Sequence, residues 1–449
     1  MKTILLIDDD AEFRDALAAL LRAHGWAVLD CGDGERGVAL AREHRPAVIL
    51  CDLLMPGVNG FRVCASIRGD HALRYSLLVA MSGRDFDDTR QTALEAGADE
   101  FLPKPIDTTR LFGILERMSA APPFTPREFD TSRLLGERPP FLRFWGVRGS
   151  VPVPGPSTVR HGGNTSCVEV RFGGEILILD CGTGVRALGD TLQTEFAGQP
   201  LRLSLLITHS HWDHVQGFPF FQPAYEASNQ IRVFGFEGAR EGLAGIFSGQ
   251  MESPYFPIGL GQLPSHVIFE ELKQMDFNVG RVPVRAAFVN HPGICVGYRL
   301  EIPGCPIVYI PDHEPFLRKL VASRADASAP ADASDFARRE DERLVEFIRG
   351  AGILILDAQY DEAEYQAHVG WGHSCVTDAV DLAIRGQVSR LFLFHHDPTH
   401  SDEQLDAMLG LARENAAAAR SPLQIELARE GVQVELPVIE TRQTGPRSP

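Results

Sequence analysis

The stretch Thr208-His209-Ser210-His211-Trp212-Asp213-His214 constrains this chain more than any other. It follows the apolar run Leu203 to Ile207, which reads as a buried strand, so four metal-ligand side chains fall within six residues on the turn leaving a strand end. Three imidazoles and a carboxylate crowded there are costly as unpaired buried groups and well suited to a divalent metal.

A chain of 449 residues has room for two or three domains, each with its own core. Its formal charge of −17 argues against broad binding to nucleic acid or to an anionic membrane, but allows a small anionic substrate held by metals and a few arginines. The eight cysteines, at 31, 51, 64, 167, 181, 295, 305 and 375, form no C-x-x-C pair, and several lie in apolar runs. Buried reduced thiols are expected rather than disulfides. Met1-Lys2-Thr3 leads into a strand instead of a signal peptide, and no apolar run approaches the ~18 residues of a membrane span. A soluble cytoplasmic protein with no membrane partner is expected.

In the first 118 residues, short apolar runs end on polar side chains. Ile4 to Ile7 ends at Asp8-Asp9-Asp10, Ala47 to Cys51 at Asp52, Leu77 to Met81 at Ser82, and Phe101-Leu102 leads to Lys104-Pro105. An amphipathic helix with Phe13, Leu17, Leu20 and Leu21 on one face separates the first two. Strands alternating with helices predict a parallel sheet with its ligands at the carboxyl ends of the strands. The segment resembles a response-regulator receiver domain, an α/β doubly wound parallel sheet. That resemblance implies Asp52 as phosphoacceptor, Mg²⁺ held by the Asp8 and Asp9 carboxylates, and Ser82 and Lys104 against the acyl phosphate. It also implies Phe101 as the aromatic switch residue and a sensor histidine kinase as phosphodonor.

Residues 119–140, with Ala-Ala-Pro-Pro, Thr-Pro and Arg-Pro-Pro, read as a proline-stiffened linker. A second domain is expected over 141–440, followed by a polar, disordered tail at 441–449. Its H-x-H-x-D-H cluster resembles the signature of the metallo-β-lactamase superfamily, which implies an αββα sandwich holding two metals. Later apolar runs deliver further ligand types at or just past their ends: Val289-Asn290-His291, Ile307 to Asp312, and Leu391 to His395-His396. The resemblance implies one metal on His209, His211 and His291, a second on Asp213, His214 and His395, and Asp312 bridging both. Zinc is expected, with manganese or iron as alternatives. His395 is preferred to His396 because it directly follows the strand. Asp180 is expected to orient the metal loop from a neighbouring strand without binding metal. His161 suits a surface turn as well as a site, and His313 is a candidate pocket residue.

The order Ile353 to Tyr360, then Gly370-Trp371-Gly372-His373-Ser374-Cys375, resembles ribonuclease Z and its cyclic-phosphodiesterase relatives. By that resemblance His373 contacts the phosphate and assists the leaving group. Only 20 residues separate His291 from Asp312, which leaves no room for the tRNA-gripping arm of ribonuclease Z. The expected function is a phosphorylation-regulated, two-metal phosphodiesterase for a small phosphodiester such as a cyclic nucleotide. Asp213 would orient or deprotonate the attacking water, and His373 would protonate or stabilise the departing oxygen. Alternatives on the same site are a lactonase or sulfatase and a non-hydrolytic di-iron redox sensor. No helix-turn-helix or basic module is left over, so DNA is not an expected partner; a homodimer rests on analogy alone. The aromatic segment Phe218 to Leu263 reads as core or dimer contact more than as pocket wall, and Ser323 to Asp341 as a flexible loop or lid edge.

Overall fold

In the computed structural model, residues 3–55, 59–68, 70, 73, 76–83, 87–120, 139–236, 242–252, 255–322 and 331–437 are described. The chain divides into two units, Met1–Arg127 and Glu128–Pro449. In the first, the apolar runs become strands β1 (Thr3–Ile7), β2 (Ala27–Cys31), β3 (Val48–Asp52), β4 (Leu77–Ser82) and β5 (Glu100–Pro103). They form one parallel sheet in the order β2-β1-β3-β4-β5. Both faces are covered, which is why these strands are continuously apolar rather than alternating. Ile4 and Leu6 pack with Leu17, Leu21, Leu111 and Leu115, while Leu5 and Ile7 pack with Val38, Val63 and Ile67. The acidic triplet after β1 divides its work. Asp10 caps the helix Ala11–Ala23 by accepting from the Glu12 and Phe13 amides, which leaves Asp8 and Asp9 at the carboxyl edge of the sheet.

The second unit is built on two seven-stranded sheets. The first contains β6 (Phe141–Gly146), β7 (Cys167–Phe172), β8 (Glu175–Leu179), β9 (Arg202–Leu206), β10 (Gln230–Phe236) and β11 (His266–Leu272). The second contains β12 (Asp276–Val279), β13 (Val282–Phe288), β14 (Val296–Leu300), β15 (Ile307–Ile310), β16 (Ile353–Asp357), β17 (Arg390–Phe394) and β18 (Gln424–Leu427), and β19 (Gln433–Glu435) returns to the first sheet beside β6. Alternate residues face inward to form the core between the sheets, among them Phe144, Val168, Leu177, Tyr298, Tyr309, Ile355 and Phe394. The outer faces carry helices, Val185–Phe196 on one side and Ala331–Ile348, Val376–Arg385 and Asp402–Ala418 on the other. The result is the αββα sandwich.

Residues 331–341 are not a loop but the first half of the helix Ala331–Ile348. Alanine, arginine and glutamate favour helix, and the apolar residues that dock it, Leu344, Val345 and Ile348, lie beyond the segment that looked featureless. Asp341 also has a fixed role, accepting from the Phe316 and Leu317 amides at the start of the helix Phe316–Ala322. Residues 323–330 lie outside the described residues, as do 121–138 of the expected linker and the tail 441–449; Ser119 and Ala120 close the helix Thr108–Ala120. All eight cysteines are buried and unpaired. Among the described residues no helix is long and apolar enough to cross a membrane.

Candidate metal centre and phosphoacceptor site

Parallel pairing aligns strand ends, and the strand ends supply the site. Leu179 of β8 is in register with Leu206 of β9, so Asp180 lies beside the loop that carries His209, His211, Asp213 and His214. In the second sheet Ile310 pairs with Leu356 and Asp357 with Phe394, bringing Asp312, Asp357 and His395 to one edge. The ligand atoms of His209, His211, His291 and Asp312 all lie within 4.8 Å of one another, as do those of Asp213, His214 and His395. Asp312 divides its two oxygens between these groups. Oδ2 is 3.6 Å from His209 Nε2 and 3.4 Å from His291 Nε2, and Oδ1 is 3.2 Å from His214 Nε2 and 3.3 Å from His395 Nε2. Asp213 Oδ2 lies 3.2 Å from His214 Nε2 and 3.1 Å from His395 Nε2, and His211 Nδ1 is 3.0 Å from His291 Nε2.

The donor set fits a pair of divalent cations. His209 Nε2, His214 Nε2 and Asp312 Oδ1 are buried and lack a hydrogen-bond partner, a state that bound cations would relieve. The far nitrogens, in contrast, are occupied. His214 Nδ1 donates to Asp180 Oδ2 at 2.8 Å, His291 Nδ1 to the Gly372 carbonyl at 2.9 Å and His395 Nδ1 to Gln359 Oε1 at 3.0 Å; His209 Nδ1 meets Thr208 Oγ1 at 3.1 Å. Such contacts fix both tautomer and ring orientation. Asp180 also accepts from the Thr208 amide and the Tyr309 hydroxyl, so it braces the loop and is not among the clustered ligand atoms.

Electrostatics divide the cluster in the same way. Burial pushes His209, His211 and His291 below the usual imidazole range, His291 to about 4, which keeps them neutral with lone pairs available. Burial alone would raise Asp213 and Asp312, but the surrounding imidazoles outweigh it and hold both well below the usual carboxylate range. For His214 burial is outweighed by Asp213, Asp312 and Asp180, which raise it.

His373 lies at the edge of the cluster. Its ligand atom falls within 4.8 Å of those of Asp312 and His395, and its ring stacks on His395 with centroids 5.0 Å apart. Its Nδ1 donates to Asp357 Oδ2 at 2.9 Å. Burial alone would depress it, but the Asp357 charge outweighs that and pushes His373 up to about 9.

Several neighbouring residues have other work. His396 bonds to the Ala428 carbonyl at 3.0 Å, leaving His395 as the histidine in the cluster. His161 is tied to Asp406 and Asp402, and buried His313 accepts from the Asn290 amide. Phe218, Phe221 and Phe247 are core residues, whereas Phe220 and Tyr255 are exposed. Three supporting residues were not singled out from sequence. Asp357 and Gln359 hold His373 and His395, and buried Glu314 accepts from the Gly370 and Gly372 amides and the Tyr365 hydroxyl. Asp357 and Gln359 carry a sequence signal, since they end the apolar run Ile353 to Leu356 just as the ligands end theirs. Glu314 carries none.

In the first unit the carboxylates of Asp8, Asp9 and Asp52 gather within 4.8 Å. Lys104 Nζ joins them, 2.7 Å from Asp8 Oδ2 and 2.9 Å from Asp52 Oδ1. Burial raises Asp8; it would lower Lys104, but the two carboxylates outweigh it and raise that ammonium. Ser82 is buried at the end of β4, and its carbonyl accepts from the Lys104 amide at 2.7 Å. Phe101 is buried in β5.

Folds and sites together define a receiver domain fused to a metallo-β-lactamase-fold domain, and through its first unit the chain belongs to the response-regulator receiver family. Residues 4–116 match the family model for the response regulator receiver domain, and residues 176–330 that for the beta-lactamase superfamily domain. Over 120 residues the chain is 32% identical to protein PilH of Pseudomonas aeruginosa, covering 27% of this chain and 99% of PilH. It is 41% identical over 106 residues to the transcriptional regulatory protein AfsQ1 of Streptomyces coelicolor, covering 24% of this chain and 46% of AfsQ1. The chain thus spans about half the length of AfsQ1. A solved human tRNase Z, short form, is similar at 20% identity with a TM-score of 0.43, covering 66% of this chain and 100% of that one.

Proposed function

We propose that the chain is a phosphorylation-regulated metal-dependent hydrolase, and specifically a two-metal phosphodiesterase acting on a small phosphodiester such as a cyclic nucleotide. The observation that carries this reading is Asp312, whose two oxygens face two separate imidazole groups with His373 beside them. Two divalent cations would supply an activated water and offset charge on the phosphoryl oxygens; imidazole and carboxylate donors favour zinc, with manganese or iron as alternatives. His209, His211 and His291 would hold one cation, and Asp213, His214 and His395 the other, with Asp312 shared between them. Asp213 orients the attacking water through its carboxylate. His373, kept protonated by Asp357, donates to the departing oxygen.

In this reading residues 1–118 are the regulatory domain and 141–440 the hydrolase. A sensor histidine kinase would supply the phosphoryl group to Asp52, Asp8 and Asp9 would hold Mg²⁺, and Lys104 and Ser82 would contact the new phosphate. The test is turnover of cyclic nucleotides beside lactones and aryl sulfates by wild type and His373→Ala. Phosphodiester turnover that falls sharply in the variant supports the reading. Turnover confined to lactones or sulfates assigns the site to the other ester classes, and oxygen-dependent redox chemistry without hydrolysis to a di-iron sensor.

A further inference from the structure

The turn Val147-Arg148-Gly149-Ser150 plays no part in the function proposed above, yet it closes directly on one half of the metal cluster. The Ser150 amide donates to Asp213 Oδ2 at 2.7 Å, the same oxygen that faces His214 and His395. Gly149 lies flat against His395: a Cβ there would sit 2.4 Å from the ring Cε1 and 2.5 Å from Nδ1. The contact is locked by a two-way backbone bridge, with the Gly149 amide donating to the His396 carbonyl at 3.0 Å and the His396 amide to the Val147 carbonyl at 2.9 Å. Both bridged segments carry a non-glycine residue in the left-handed region, Ser150 at φ 60° and His395 at φ 57°. Such strain persists only where the surroundings impose it.

Arg148 imposes it. Its side chain is fully buried; Nε donates to the Gly162 carbonyl and Nη1 to the Asp397 and His400 carbonyls, while Nη2 is buried without a partner among the described residues. A buried cation is costly. Here it pins the turn to the loop that leaves β17 carrying His395.

We propose that Arg148, Gly149 and Ser150 are positioning residues for the Asp213, His214 and His395 half of the cluster and set how tightly that half holds its cation. The inference rests on the metal-pair reading. Ser150 fixes Asp213 through its backbone amide, which every substitution except proline keeps, and Gly149 provides the space that lets the His395 ring reach Asp213.

The test measures zinc per chain during dialysis of the full-length protein against graded chelator. Gly149→Ala should keep one tightly held zinc and bind the second about 10- to 100-fold more weakly, the range seen when residues behind metal ligands are changed. Gly149→Ala/His395→Ala should behave as His395→Ala alone, because the ring that the new methyl meets is gone. Two zinc ions held with wild-type affinity in Gly149→Ala, or further loss in the double variant beyond His395→Ala, would overturn the proposal. If Gly149→Ala does not fold, a folded double variant supports the ring contact and a misfolded one overturns it. A wild-type chain that holds fewer than two metals overturns instead the metal-pair reading beneath.

Discussion

Asp357 Oδ2 accepts from His373 Nδ1 at 2.9 Å, and the same oxygen accepts from the His313 amide at 3.0 Å. The carboxylate is therefore anchored to the loop that carries Asp312 while it holds the imidazole. One residue joins the proposed proton donor to the shared metal ligand.

Replacing Asp357 with Asn keeps the shape and removes the charge. If His373 acts as the acid, kcat falls by roughly 10²-fold, the usual scale for a positioned general acid. The sign of the pH effect follows from what holds His373 up: its protonated form is stabilised by Asp357, so without that charge it deprotonates at lower pH. The alkaline limb of the kcat profile should move down in Asp357→Asn relative to wild type. Profiles measured side by side check this, and an unshifted limb contradicts it.

Gly372 supports the other half of the cluster. Its carbonyl accepts from His291 Nδ1, its φ is +90°, and a Cβ would lie 2.4 Å from that nitrogen. Gly372→Ala should cost about 1–2 kcal/mol in backbone strain alone and weaken metal retention further by displacing His291. Denaturant unfolding and metal analysis read the two effects separately.

Removing metal should destabilise the second unit. Buried His209 Nε2, His214 Nε2 and Asp312 Oδ1 are left without partners, and ligand linkage is lost. Chelation should lower its thermal midpoint by about 5 °C or more, with zinc restoring it. A midpoint indifferent to chelator argues that the cluster holds no cation.

The receiver site makes its own prediction. With Mg²⁺ and acetyl phosphate, intact-mass analysis should detect a single phosphoryl addition in wild type and none in Asp52→Asn. Lys104 lies between Asp8 and Asp52, so Lys104→Ala should leave two carboxylates unshielded and bind Mg²⁺ more tightly. Fluorescence or calorimetric titration with Mg²⁺ measures that change.

Most of the clustered ligands were legible because they closely follow a strand, as His209, Asp312 and His395 do, while Asp213 and His214 sit on the short helix Trp212–Val215 beyond the same strand as His209. Position directly after the strand favoured His395, with the adjacent His396 one residue away as the alternative. That choice is made by the left-handed backbone of His395, which sends one ring into the cluster and leaves the next on the Ala428 carbonyl. Asp357 had the same strand-end signal as the ligands, but its role depends on β16 lying between β15 and β17, which pairing decides and composition does not. Glu314 is a single acidic residue in a loop, and only the folded chain shows it holding the Gly370 and Gly372 amides. The helix Ala331–Ile348 was obscured because its docking side chains cluster at its far end.

The most direct measurement is metal content together with hydrolysis of bis(p-nitrophenyl) phosphate, for wild type and His211→Ala in parallel. Among the described residues the His211 side chain hydrogen-bonds only to the cluster's own His291, so its loss strikes the metal site before the fold. The account predicts two metals per wild-type chain with turnover, and both reduced metal content and abolished turnover in the variant. A wild-type protein replete with metal yet inert toward the phosphodiester, or a variant that hydrolyses it as well as wild type, would contradict the account.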